Sequence, residues 1–257
     1  MARWVWHFSR RLAPVGRIGL NLLFPPRCEW CDADLPHPND GLLLCDSCLA
    51  SLGPQTWPGC VRCGALAEQR PGPTGGCTLC HDTPLKFSEV IPLGAYQDEL
   101  REVVLRMKRR NNETLSAVMG HLLYSHRLDR LSSVKADMIV PVPMHWARRL
   151  GRGTNSPEVL ASCLAKRLGI PTFARAMYRH RNTLPQKDLP PSRRFHNVRG
   201  AFRVRNGYPI EGARVLVVDD ILTTGATCSE AAATLRRAGA ALVAVAVIAR
   251  AQGTQAG

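Results

Sequence analysis

No apolar run in these 257 residues reaches the ~18 needed to span a bilayer. The opening, MARWVWHFSRRLAPVGRIGLNLLF, lacks both a continuous apolar stretch and a small-residue cleavage site. It therefore reads as a surface helix or docking arm over residues 1–24, not as a secretion signal. Lysine is scarce: of 34 basic residues 5 are Lys and 29 are Arg. Acidic charge is too sparse to balance them, and the formal net charge is +14. A basic surface attracts phosphates, nucleic acid and anionic membranes. An Arg bias arises from genome base composition as readily as from function, however. Arg109-Arg110, Arg148-Arg149 and Arg193-Arg194 count equally as solvated faces and as binding patches. A hydrophobic content of 45% with 21% charged residues excludes a disordered chain. The length fits one medium domain and one small one. With no export signal, the expected compartment is the reducing cytoplasm, where cysteines hold metals rather than pair with each other.

Ten cysteines are present, and eight form four Cys-x-x-Cys pairs: Cys28/Cys31, Cys45/Cys48, Cys60/Cys63 and Cys77/Cys80. Moving the first two pairs by 32 residues superposes them on the last two, an internal repeat. Each unit carries four thiols, the complement of one tetrahedral zinc. The surrounding PHPNDG and RPGPTGG segments bury too little apolar surface to fold unaided, so metal binding supplies the missing folding energy. Two consecutive, closed, structural Zn2+ sites over residues 25–84 are expected. Interleaving Cys28/Cys31 with Cys60/Cys63 is the open alternative. Cys163 and Cys228 stand apart and read as small buried side chains.

After about residue 84 the pattern changes to that of an α/β domain, residues 85–252. FSEVIPLGAY reads as a strand, and Leu100, Val103, Val104 and Met107 follow at helical spacing. A second helix is expected over 113–130, and ADMIVPVP reads as a buried strand. Ser156 is a candidate helix cap with Pro157 at the first position, and Gly169 a stop. Residues 179–198, with three prolines, read as a long exposed loop. RVLVV and ALVAVAVIAR are strands buried on both faces. Strands alternating with helices imply an open, mainly parallel sheet.

Between those strands lies DDILTTGAT. Asp219 and Asp220 end a strand, where ligands of parallel sheets bind. A turn with Thr223, Thr224, Gly225, Ala226 and Thr227 then opens into a helix, whose first amides and dipole suit a phosphate. Phosphate donors beside hydroxyl-accepting carboxylates match a phosphorylated sugar with vicinal hydroxyls.

An apolar strand, two acidic residues and T-T-G-x-T resemble the 5-phosphoribosyl-1-pyrophosphate (PRPP) signature of type I phosphoribosyltransferases. The four cysteine pairs, PVPMHWARRLGRGTN and TLPQKDLPPSRRFHNVRGAF extend the resemblance to the ComF family, from about residue 24 to 250. That resemblance implies a type I phosphoribosyltransferase-like sheet behind a double zinc ribbon. It implies ribose contacts from Asp219 and Asp220, 5-phosphate contacts from Thr223, Thr224, Gly225, Ala226 and Thr227, and Mg2+ bound with PRPP. For the pyrophosphate and mobile loop it implies Lys108, Pro143, Met144, His145, Arg149, Arg152, Gln186 and Arg194. Where the family has Phe-Asn-Gln this chain has Thr154-Asn155-Ser156. The extra Asp of purine-salvage relatives is here Thr223, which argues against a purine acceptor. The catalytic base is not readable. By resemblance the function is a PRPP-dependent transferase tied to DNA uptake; the alternatives are a PRPP or nucleotide sensor that binds single-stranded DNA or the uptake machinery without turnover, or a scaffold with a vestigial pocket.

Overall fold

The computed structural model describes residues 25–35, 42–53, 58–68, 76–109, 112–145 and 155–252. The N-terminal arm (1–24) and the Arg-Gly turn carrying Arg148, Arg149, Arg152 and Gly153 lie outside the described residues. By packing the chain divides into two units, Met1–Ala50 and Ser51–Gly257. The first four cysteines belong to the first unit; the second four and the sheet belong to the second.

In the first unit, Cys28 N–H donates to Ala33 O at 2.8 Å, and Asp32 N–H to Cys28 O at 2.9 Å. This tight turn ends with Asp32 in the left-handed region, φ 65°. Cys48 rides on the short helix α1 (Asp46–Leu52).

The second unit is organised by a four-stranded sheet ordered β1-β6-β5-β2 and parallel throughout. The strands are β1 (Val90–Ala95), β2 (Met138–Pro141), β5 (Arg214–Leu222) and β6 (Leu242–Arg250). Val215, Leu216, Val217 and Val218 are all 0% exposed, as a strand covered on both faces requires. Burying each such side chain stabilises by about 1.5–3 kcal/mol, so a charge at Val217 would break the sheet's centre. Helix α2 (Asp98–Met107) buries the four apolar residues anticipated from spacing. Helix α3 (Glu113–Ser133) kinks at Arg127. There the guanidinium donates to Pro92 O (3.0 Å) and Leu93 O (2.6 Å), satisfying carbonyls of the edge strand β1.

Helix α4 (Ser156–Leu168) has Asn155 at its N-cap, one residue before the expected Ser156. The Ser156 hydroxyl is spent elsewhere, donating to Met107 O at 2.9 Å. Gly169 ends α4 in the left-handed conformation, φ 69°. Cys163 is half-buried at the α3–α4 contact, and its thiol donates to Ala117 O at 3.3 Å.

Strands β3 (Met177–Arg179) and β4 (Phe202–Val204) form a separate antiparallel pair. Between them the expected exposed loop is replaced by a 3-10 turn at Gln186–Asp188 and helix α5 (Pro191–Val198). Pro191 starts that helix because its fixed φ suits the first turn. Only Val198 of α5 is buried, so no apolar period announced it. Helix α6 (Ala226–Arg237) follows β5, with Cys228, Ala231, Ala232 and Leu235 buried. Among the described residues no helix is long and apolar enough to cross a membrane.

Candidate functional site

The carboxyl ends of β1, β2 and β5 border a cavity of about 810 Å3. Thr223, Thr224, Gly225, Ala226 and Thr227 line one wall. Gly225 has φ +81°, an angle that favours glycine, and a Cβ there would sit 2.9 Å from Leu85 Cδ2 and push that side chain aside. The turn delivers the chain into α6, whose first amides and dipole face the cavity as an anion-binding end.

Asp219 and Asp220 line the floor. Asp219 Oδ1 accepts from the Asp220 amide at 2.9 Å, and its Oδ2 from the Cys228 thiol at 3.7 Å. Burial, and then the neighbouring Asp220 carboxylate, push Asp219 up to about 7. Burial likewise drives the Cys228 thiol well above its ordinary value, which keeps it protonated as the hydrogen-bond donor to Asp219. Asp220 is 9% exposed and pairs with Lys108 at 3.3 Å. Lys108 caps the end of α2, so that helix supplies the cation that offsets the acid pair.

Pro143 and Met144 line the cavity just beyond β2; His145 is buried and is not part of the lining. Gln186 and Arg194 also line the cavity. The Gln186 amide donates to Thr227 Oγ1 (3.4 Å) and to Arg194 O (3.3 Å), tying the 3-10 turn to the Thr-Gly turn. Tyr96, Leu105, Arg179, Pro185 and Cys228 also line the cavity and were not anticipated. Tyr96 directly follows β1, so the rule that ligands bind past strand carboxyl ends reaches it. Pro185 and Cys228 adjoin Gln186 and Thr227 in sequence, whereas Leu105 and Arg179 arrive only through the tertiary fold.

The eight paired cysteines form two consecutive sets, Cys28/Cys31/Cys45/Cys48 and Cys60/Cys63/Cys77/Cys80, which settles the pairing against interleaving. None is in a disulfide. Zn–S bonds of about 2.3 Å arranged tetrahedrally put sulfurs about 3.8 Å apart. The sulfurs of Cys31 and Cys45 are 3.6 Å apart, those of Cys63 and Cys77 3.6 Å, and those of Cys60 and Cys80 3.9 Å. Both sets therefore fit Zn2+. The Ser47 hydroxyl, 3.1 Å from Cys45, leads the groups that pull that thiol down to about 6. Burial pushes Cys63 up, while the Arg250 guanidinium acts in the opposite direction.

A parallel sheet with an acid pair and a Thr-Gly turn at its carboxyl edge, in a chain that also carries two four-thiolate sites, defines a phosphoribosyltransferase-fold protein with a double zinc ribbon. Family models agree: "Phosphoribosyl transferase domain" matches residues 157–256 and "Double zinc ribbon domain" residues 19–84. Competence protein F of Haemophilus influenzae is 29% identical over 231 residues, 88% of this chain and 97% of that protein. DNA utilization protein YhgH of Salmonella typhimurium is 30% identical over 227 residues, 87% of this chain and 96% of that protein. Competence protein ComFC of Bacillus subtilis is 26% identical over 208 residues, covering 77% of this chain and 80% of that protein. The chain belongs to this family of competence protein F and DNA utilization protein YhgH. The glutamine PRPP amidotransferase of Bacillus subtilis aligns with 53% of this chain and 26% of its own length, at 27% identity and a TM-score of 0.36. The fold assignment rests on the strand order and the family match rather than on that superposition.

Proposed function

We propose that the cavity binds PRPP and that the protein transfers its phosphoribosyl group in a process connected with DNA. The observation that carries this reading is a single cavity lined together by the acid pair, the Thr-Gly turn and the start of α6. The amides of the first α6 turn and the Thr223, Thr224 and Thr227 hydroxyls hold the 5-phosphate. Asp219 and Asp220 accept hydrogen bonds from the two ribose hydroxyls. Lys108 pairs with Asp220 and holds its side chain in place before ligand arrives. Gln186 and Arg194 border the other side, where Arg194 faces the pyrophosphate and helps exclude water.

In the reaction the bond from ribose carbon 1 to pyrophosphate breaks, a bond to the acceptor forms, and the acceptor gives up a proton. The leaving group's charge requires neutralisation. Mg2+ bound with PRPP would supply it, and the acid pair is the oxygen-donor set that would hold such an ion. The zinc sites have no open position and take no direct part in the reaction.

A second reading, PRPP sensing without turnover, is favoured by the names of the relatives, which describe competence and DNA utilization, not transfer. The test is a screen of PRPP with nucleobases, amines and single-stranded DNA for pyrophosphate release. Release that depends on one acceptor establishes the transferase. PRPP binding without release, together with salt-sensitive single-stranded DNA binding, establishes the sensor. Failure of PRPP to bind ends both.

A further inference from the structure

Arg250 closes β6 and is 6% exposed, a buried cation that plays no part in the pocket chemistry above. Its guanidinium is shared among carbonyls from distant parts of the chain. Nε donates to Cys63 O at 2.6 Å. Nη1 donates to Thr223 O at 2.6 Å and Leu222 O at 3.3 Å, and also to Ala251 O. Cys63 is a ligand of the second metal site, and Thr223 opens the phosphate turn. One rigid planar fork therefore joins the peptide of a metal ligand to the peptide of the ligand-binding turn.

A second strut runs alongside the first. The Ser229 hydroxyl, in the first turn of α6, donates to Pro84 O at 3.1 Å and accepts from Lys86 N–H at 3.0 Å. Between those residues, Leu85 packs against both the buried cysteine cluster and the sheet core. It also fills the space beside Gly225. The knuckle itself is pinned to the sheet unit, with Val90 N–H donating to Val61 O at 3.0 Å and Leu66 N–H to Gln252 Oε1 at 3.1 Å.

We propose that Arg250 is a positioning residue through which metal binding at Cys60/Cys63/Cys77/Cys80 sets the affinity of the pocket for PRPP. This rests on the reading of the cavity as a PRPP site. The physical cause is the high cost of leaving a buried guanidinium N–H without an acceptor. With the metal in place, the Cys63 carbonyl is fixed and so are the fork and the Thr223 carbonyl. Without it the four thiols relax, Arg250 loses one acceptor, and the turn loses its anchor. Coupling of this kind is reciprocal: if metal tightens PRPP, PRPP tightens metal by the same factor.

The experiment compares full-length, zinc-loaded wild type with Arg250→Ala and Arg250→Lys, using PRPP as the probe. Hydrogen exchange over residues 222–229 rises by about tenfold in R250A, PRPP affinity falls by about tenfold, and zinc content stays at two equivalents. Lysine carries the charge but not the fork, so R250K stays near R250A. In wild type, PRPP slows the later phase of zinc loss to a chelator; in R250A it does not. Exchange over 222–229 and PRPP affinity both equal to wild type in R250A would overturn the proposal. If R250A does not fold, zinc loss from wild type decides, and a rate indifferent to bound PRPP counts against the coupling. If PRPP does not bind wild type at all, the proposed function fails. The brace then stands or falls on ligand-free exchange over 222–229 before and after zinc removal.

Discussion

The two four-cysteine sites share a sequence spacing and a local turn yet differ in surroundings. In each, the first cysteine's amide donates to the carbonyl five residues on, Cys28 to Ala33 and Cys60 to Ala65, both at 2.8 Å. In each, the fifth residue of the knuckle is left-handed: Asp32 at φ 65° and Gly64 at φ +72°. In the first site Cys31 is exposed and Cys45 half-exposed; in the second all four thiols are buried. The left-handed residue explains part of the contrast. Asp tolerates that conformation where nothing crowds its side chain. At Gly64 a Cβ would lie 3.2 Å from Val90 Cγ1 and 3.3 Å from Pro92 Cγ, so packing on β1 demands glycine. The same repeat thus serves in the first unit as a metal knuckle and in the second as a metal knuckle built into the wall of the sheet.

The largest effect is expected at the second site. Changing Cys60 and Cys63 to Ser removes one zinc, lowers the melting midpoint of the sheet unit by more than about 10 °C, and eliminates PRPP binding. A sheet that melts as in wild type would erase the contrast. Changing Cys28 and Cys31 to Ser unfolds the first module and removes the other zinc, while the main thermal transition remains. Zinc analysis with calorimetry reads both, and unchanged metal content in this variant would dismiss the first site. Next comes the knuckle itself. Gly64→Ala forces a Cβ into a left-handed and crowded position, costing about 1–3 kcal/mol. Asp32→Gly relieves strain and is neutral or mildly stabilising. Equal costs at the two positions, measured by denaturant unfolding, would show that the knuckles have equivalent surroundings.

The smallest effect concerns the acid pair. Asp219 binds its proton more tightly folded than unfolded, with a pKa moved from 3.8 to about 7. The stability it contributes is therefore complete below 3.8 and is lost as pH rises to about 7. Asp219→Asn keeps the neutral form, so its melting midpoint exceeds wild type by about 3 °C at pH 8 and matches it at pH 4. A gap of equal size at both pH values would point to packing rather than charge.

Much of this was legible in the chain because the signals are local. The cysteine spacing announces two sites, and the all-apolar runs of β5 and β6 announce a covered parallel sheet. Asp219 to Thr227 keep charge, glycine and hydroxyls in one short register. The remainder depends on tertiary packing. Helix α5 buries only Val198, so no apolar period marked it. Asn155 displaces Ser156 as the cap because Ser156 bonds to Met107, 49 positions away. Arg250 closes an apolar strand with no motif around it, and its partners lie 187 and 27 positions away. Tyr96, Leu105 and Arg179 reach the cavity from three separate elements.

The whole functional account depends on Asp219 and Asp220 gripping a sugar whose phosphate sits on the turn beside them. Calorimetric titration of PRPP with Mg2+ into wild type and into the Asp219→Ala, Asp220→Ala double variant tests this most directly. The account predicts saturable binding to wild type and none to the variant, with two zinc equivalents and the main melting transition retained in both. Equal affinity in the two proteins would contradict it.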